Sequence, residues 1–182
     1  MKRYLIALPL LALSASALAN TAVINFTGTV LAGSCPIVIK DPAGGSSGTI
    51  DMGEAMAGNF DQTGSEANYR DFAIEVDDPS TCPGWLAPGT NVAKVRFFGL
   101  AGGADNDELF ALNAGGTTAT GVALGIKDDA GTGVGHGDTS REYTLTGGQA
   151  NQLAFTAFYK STVPTVTAGN ANADVSVEMT IN

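Results

Sequence analysis

The chain has 182 residues, 24 of them glycine, and 18 Asp+Glu against 9 Lys+Arg give a formal net charge of −9. That balance argues against a surface for nucleic acid or anionic lipid, whose phosphates need Lys and Arg. Abundant glycine, and a sequence without a sustained apolar stripe of helical period, disfavour helices.

The N-terminus reads Met1-Lys2-Arg3, then an apolar run from Leu5 to Leu13, then Ala17-Leu18-Ala19. A basic head, a short apolar centre and an A-x-A site make residues 1–19 a secretory signal peptide. The apolar run is too short to span a bilayer. Without Lys2 and Arg3 the basic count falls from 9 to 7 against 18 acids, so the mature charge is −11. Such a charge suits solubility outside the cell. The remaining length suits one domain.

Ala22, Ile24, Phe26, Gly28 and Val30 then alternate with Val23, Asn25, Thr27 and Thr29. Period-two alternation predicts a strand with one buried face. This strand reads equally as the first of its own domain or as an extension that adds to another molecule's sheet. Further alternating runs follow at 35–40, 72–76, 93–98, 122–127, 143–145 and 153–159. The last run is Ala171, Ala173, Val175, Val177, Met179 and Ile181, separated by polar residues. Gly-, Asp- and Pro-rich turns divide the runs, as in Asp41 to Gly48, Gly102 to Asp107 and Asp128 to Gly133. Short strands with that punctuation predict an all-β sandwich or barrel.

Cys35 and Cys82 both lie in the exported part. An even pair in an oxidising compartment predicts one structural disulfide. Two distant sulfurs and the single His136 do not make a metal site, and no metal or other cofactor is expected. His136, Asp138 and Ser140 share one glycine-rich loop, which reads as a solvated turn lacking the rigid frame of a catalytic triad. No enzyme activity is expected. Asp105-Asn-Asp-Glu108 and Asp128-Asp129 lack the calcium-loop pattern and read as turn caps. Trp85 is expected to pack against the disulfide or to sit in a loop. Phe97 and Phe98 point to opposite faces of one strand, which leaves one of them for an interface.

Three elements together resemble the pilin subunits of chaperone–usher fimbriae, closest to the type 1 major-subunit group. They are Ile24-Asn-Phe-Thr-Gly28-Thr-Val30 leading to Ala-Gly-Ser-Cys35, the Cys35/Cys82 pair, and Ala157-Phe-Tyr159 leading through Gly169 to the closing strand. Gly169 stands fourteenth from the end, where these pilins usually carry a glycine. Ile181 departs from the pattern, since the penultimate residue is typically aromatic.

The resemblance implies an incomplete immunoglobulin-like sandwich that lacks its last strand and is completed by donor-strand exchange. Residues 20–31 would be the donor extension, inserting Ala22, Ile24, Phe26, Gly28 and Val30, and residues 32–182 the pilin domain. Gly169, Val175, Val177, Met179 and Ile181 would form the acceptor groove and chaperone-binding edge. The implied partners are neighbouring pilin subunits, a periplasmic chaperone and an outer-membrane usher. The implied destination is the cell-surface fimbrium, reached through the periplasm, where pili support cell adhesion. Two other readings stand beside the polymerising subunit. One is a minor or adaptor pilin near the tip. The other, of a different class, is a secreted monomeric carbohydrate-binding sandwich.

Overall fold

The structure is a computed structural model that describes residues 35–46, 48–87 and 89–182. The signal segment and the alternating residues Ala22, Ile24, Phe26, Gly28 and Val30 lie outside the described residues. Among the described residues nine strands follow in chain order: β1 (Ile37–Lys40), β2 (Glu66–Val76), β3 (Asn91–Gly99), β4 (Gly103–Ala104), β5 (Leu109–Phe110), β6 (Val122–Asp128), β7 (Tyr143–Leu145), β8 (Asn151–Ser161) and β9 (Val175–Ile181). They form two sheets, one ordered β1-β2-β8-β6-β5-β4 and the other β7-β3-β9. Every strand pairing is antiparallel.

Alternation along the strands builds the core. Phe72, Ile74 and Val76 of β2 pair with Phe155, Leu153 and Asn151 of β8, so the apolar residues share the inner face of the larger sheet. Ala93, Val95 and Phe97 of β3 are the buried face of the smaller sheet. Phe97 crosses the gap and meets Phe155 edge-on at 5.1 Å between ring centroids, while Phe72 stacks on Phe155 at 5.6 Å. Edge-to-face and offset-stacked rings at these spacings add to the gain from burial. Cys35 and Cys82 are joined, with their Cα atoms 5.0 Å apart, which ties the entry to β1 to the turn that follows β2.

The outer face of the larger sheet carries one polar–aromatic cluster. The Phe158 ring lies across Gly125, where an added Cβ would sit 2.3 Å from Phe158 Cζ. Tyr69 stacks on Phe158, and Lys127 Nζ sits 4.3 Å from the Phe158 ring centre while pairing with Glu66 at 2.6 Å. The glycine lets a large outward ring lie flat and become buried.

Several sequence expectations need adjustment. β2 starts at Glu66, ahead of the expected run, and the two-residue strands β4 and β5 are too short to leave a periodic signal. The final alternation begins at Ala171, but the ladder begins at Val175 because its partner β3 ends at Gly99. The loop around His136 is not a solvated turn. His136 Nδ1 accepts from Gly99 N at 3.0 Å, His136 N donates to Asp107 O, and the ring packs edge-on against Phe98 and Phe110. Phe98, on the outer face, is partly covered: His136 meets its edge and Arg96 lies over its face at 5.1 Å. Trp85 packs on the backbone at Gly147, where a Cβ would meet Trp85 Cζ2 at 2.8 Å.

Replacing Gly125 by Leu is expected to displace the Phe158 ring and cost about 1–3 kcal/mol, the usual range for overpacking. Gly133→Ala, at a site with no atom within 4 Å of an added Cβ, is the control and leaves the unfolding temperature nearly unchanged. Thermal unfolding followed by circular dichroism checks both.

Candidate functional site

Among the described residues β9 is the outermost strand of the smaller sheet, paired along one edge. Its ladder with β3 runs from Gly99 opposite Val175 to Ala93 opposite Ile181, and Val92 and Asn182 exchange both backbone hydrogen bonds at 3.0 Å. The strand is thus held to its last residue. Among the described residues no strand pairs with the other edge. Val175, Val177, Met179 and Ile181 are half-buried against the core, while Ser176, Glu178 and Thr180 are exposed. An unpaired edge presents a row of backbone donors and acceptors, and such edges are usually blunted by Lys, Pro or a covering element. β9 contains neither Lys nor Pro.

Beside this edge the sandwich opens into a groove of about 630 Å³. Val175 and Val177 line one wall; Ile39 and the segment 48–53 line the other. The floor is core: Phe72, Phe97, Leu124, Ile126, Ala157 and Tyr159. These floor residues belong to the buried core, so the groove runs down to the interior between the two sheets. Among the described residues no strand closes this side of the sandwich.

The approach to β9 is fixed by hydrogen bonds outside the ladder. Leu100 N donates to Asp174 O at 2.8 Å, Asn113 N donates to Asn172 O at 2.8 Å, and Asn113 Nδ2 donates to Asp174 Oδ2 at 3.0 Å. Tyr159 Oη donates to Ala171 O at 2.7 Å. Burial first, and then the Asp51 carboxylate, push the Tyr159 phenol above its ordinary value, so it stays a neutral donor at neutral pH.

The structure spreads the expected acceptor residues over two places. Val175 and Val177 face the groove, and Met179 and Ile181 continue the same face of β9. Gly169 lies apart from the groove lining, against the backbone at 117–119, where an added Cβ would meet Thr117 O and Ala119 N at 2.5 Å each. Its role is close backbone approach: Asn170 N donates to Thr117 O and Ala119 N donates to Asn170 O. The sequence reading missed Ile50, Asp51 and Met52 in the opposite wall. Their signal was the brief alternation Ile50/Met52 between two glycines.

His136 and Ser140, weighed as catalytic residues, each serve the backbone. Ser140 Oγ donates to Arg141 O at 2.9 Å and accepts from Val95 N at 3.0 Å, whereas His136 is engaged with Gly99. Asp128 caps its turn by accepting from Ala130 N and Thr132 N. Among the described residues no group of three or more His, Cys, Asp or Glu is placed to hold a metal ion.

The fold and the groove define a class: an immunoglobulin-like sandwich open along its C-terminal strand. A family model described as "Fimbrial protein" matches residues 24–182. The long polar fimbria protein A of Salmonella typhimurium is 32% identical, with 98% of this chain and 96% of that protein covered. The type 1 fimbrial subunit of Klebsiella pneumoniae is 30% identical, over 91% of this chain and 89% of that one. Among solved structures, the Burkholderia pseudomallei antigen and type I fimbria protein matches with a TM-score of 0.53 and 31% identity, covering 82% of this chain and 88% of that one. The P pilus rod subunit PapA shares the fold at 24% identity, with a TM-score of 0.56 over 74% of this chain and 92% of that one. The chain belongs to the fimbrial protein family.

Gly169→Ala is expected to separate the 169–170 turn from residues 117–119 at a cost of about 1–3 kcal/mol. Hydrogen exchange checks it, with faster exchange at Ala119 and Asn170 while the β3–β9 ladder keeps its protection.

Proposed function

We propose that this protein is a structural subunit of a chaperone–usher pilus that polymerises by donor-strand exchange. The signal peptide exports it, a periplasmic chaperone holds it soluble by lending a strand to the open groove, and the outer-membrane usher presents it to the next subunit. The N-terminal segment of a second copy then replaces the chaperone strand. Val30, Gly28, Phe26, Ile24 and Ala22 are the inserting side, and the segment pairs with the free edge of β9. The observation that carries this reading is the groove itself: an apolar floor continuous with the core, bordered by an edge that nothing in residues 35–46, 48–87 and 89–182 pairs.

The energetics suit a durable joint. Each large apolar side chain transferred into the groove contributes about 1.5–3 kcal/mol, and a main-chain ladder with β9 adds to it. Gly28 on the inserting face lets the donor backbone approach where a side chain would not fit. The two chain ends thus have complementary jobs, one completing a neighbour and the other bordering the gap that a neighbour fills.

Surface material heated mildly in detergent is expected to run as a ladder at multiples of the subunit mass and to collapse to one band only on strong heating. Gly28→Ile, or Phe26→Asp, abolishes the ladder while the subunit still reaches the periplasm. Normal fibres from either variant contradict the reading. A single monomer band from the wild-type protein in both lanes favours a secreted monomer.

A further inference from the structure

The wall of the groove opposite β9 is only partly a strand: Ile39 belongs to β1, and the rest is an irregular segment. Residues 50–53 belong to no strand, although Ile50 and Met52 pack against the core and the segment lines the groove. Two side chains of β2 hold this strap: Asn68 Nδ2 donates to Met52 O at 3.0 Å, and Arg70 Nε donates to Asp51 O at 3.1 Å. Gly53, at φ +65°, lets the strap turn beneath the guanidinium; a Cβ there would meet Arg70 Nη2 at 2.8 Å.

Both grips depend on a bulge in β2. Ala67 lies opposite Tyr159 and Arg70 opposite Ala157, so β2 advances three residues while β8 advances two. Asn68 takes a left-handed conformation, φ 55°, at the insertion. Without it, strict alternation back from Phe72 would turn Glu66 inward. With it, Ala67 and Arg70 share the groove side with Tyr159 and Ala157, and Glu66 turns outward to Lys127. Bulges beside functional sites commonly re-aim side chains in this way. Here the bulge puts the Arg70 guanidinium against the strap that lines the groove, with Nε on Asp51 O and another donor, Nη1, on Tyr69 O at 2.9 Å.

We propose that Asn68 and Arg70 are positioning residues that clamp the 51–53 strap as the second wall of the groove. They thereby set how long the groove retains the N-terminal segment of a second copy. This inference rests on the donor-strand reading above. A strand in the groove is confined only if both walls stay in place; β9 is fixed by its ladder, whereas the strap is held by the packing of Ile50 and Met52 and by the hydrogen bonds of these two side chains. Hydrogen bonds from a charged donor are stronger than neutral ones, and losing both grips frees the strap to swing outward.

The test uses the full mature chain carrying Phe26→Asp, which disables its own donor segment, and a fluorescent peptide of residues 20–31 as probe. Asn68→Gly keeps the left-handed backbone while removing the amide, and Arg70→Met keeps the stem while removing the donors. The double variant is expected to release the peptide about tenfold faster, the effect of losing roughly one charge-assisted hydrogen bond's worth of retention. Arg70→Lys alone, which retains a cationic donor, gives an intermediate rate. Gly147→Val, which strains the distant contact with Trp85, lowers the unfolding temperature but leaves release at the unmodified rate. Release that is unchanged in the double variant, or equally fast in Gly147→Val, overturns the clamp and leaves the donor-strand reading standing. A Phe26→Asp chain that takes up no peptide overturns both.

Discussion

The constraint on which the rest of the described structure depends is a strand edge, unpaired among the described residues, beside a groove that reaches the core. β9 is bonded to β3 through its whole length, yet its other side faces a groove whose floor includes Phe72 and Phe97. A sandwich gains most of its stability by closing apolar faces against each other, and the backbone of every buried strand needs partners on both sides. Among the described residues both sheets form and that closure is unfinished along one seam. The occupant suited to such a seam is an extended segment with apolar residues at alternate positions, which satisfies both the edge and the floor.

The surroundings of the groove follow from this demand for order around a gap. The disulfide pins the entry to β1 near the turn after β2, so that edge of the larger sheet stays in place without help from the groove. The contacts of Leu100 and Asn113 with residues 172–174 steer the chain into β9, and Tyr159 fastens Ala171 from the floor. The bulge at Asn68 fixes the facing strap by side chains where no ladder is available. Stability is spread over features that do not require a strand in the groove.

Most of the framework was legible in the sequence because alternation reports burial directly. The runs through Phe72, Val95, Ile126 and Phe155 each became a strand with the expected side inward. What stayed hidden depends on contacts between distant segments. His136 looked like part of a loose glycine-rich turn, yet its imidazole accepts from Gly99, a partner 37 residues away. Phe98 looked free for an interface, yet Arg96 and His136 partly cover it. The bulge in β2 left no mark in the pattern, since a single inserted residue only shifts its phase. The strap at 50–53 showed just two alternating apolar residues, too few to separate a wall from a turn. Gly169 was legible as an important glycine but not as to its neighbour, the backbone at 117–119.

The central claim is that the two ends of the chain have directional, complementary roles, and a mixture of two defective subunits tests it most directly. Phe26→Asp leaves a groove without a working donor, and Val177→Asp leaves a donor without a working groove. Each alone is expected to run as a monomer in detergent before heating. Mixed together, they give a heat-resistant dimer and nothing longer, because one donor enters one groove and both remaining ends are dead. Ladders from either variant alone, or no dimer from the mixture, contradict the account.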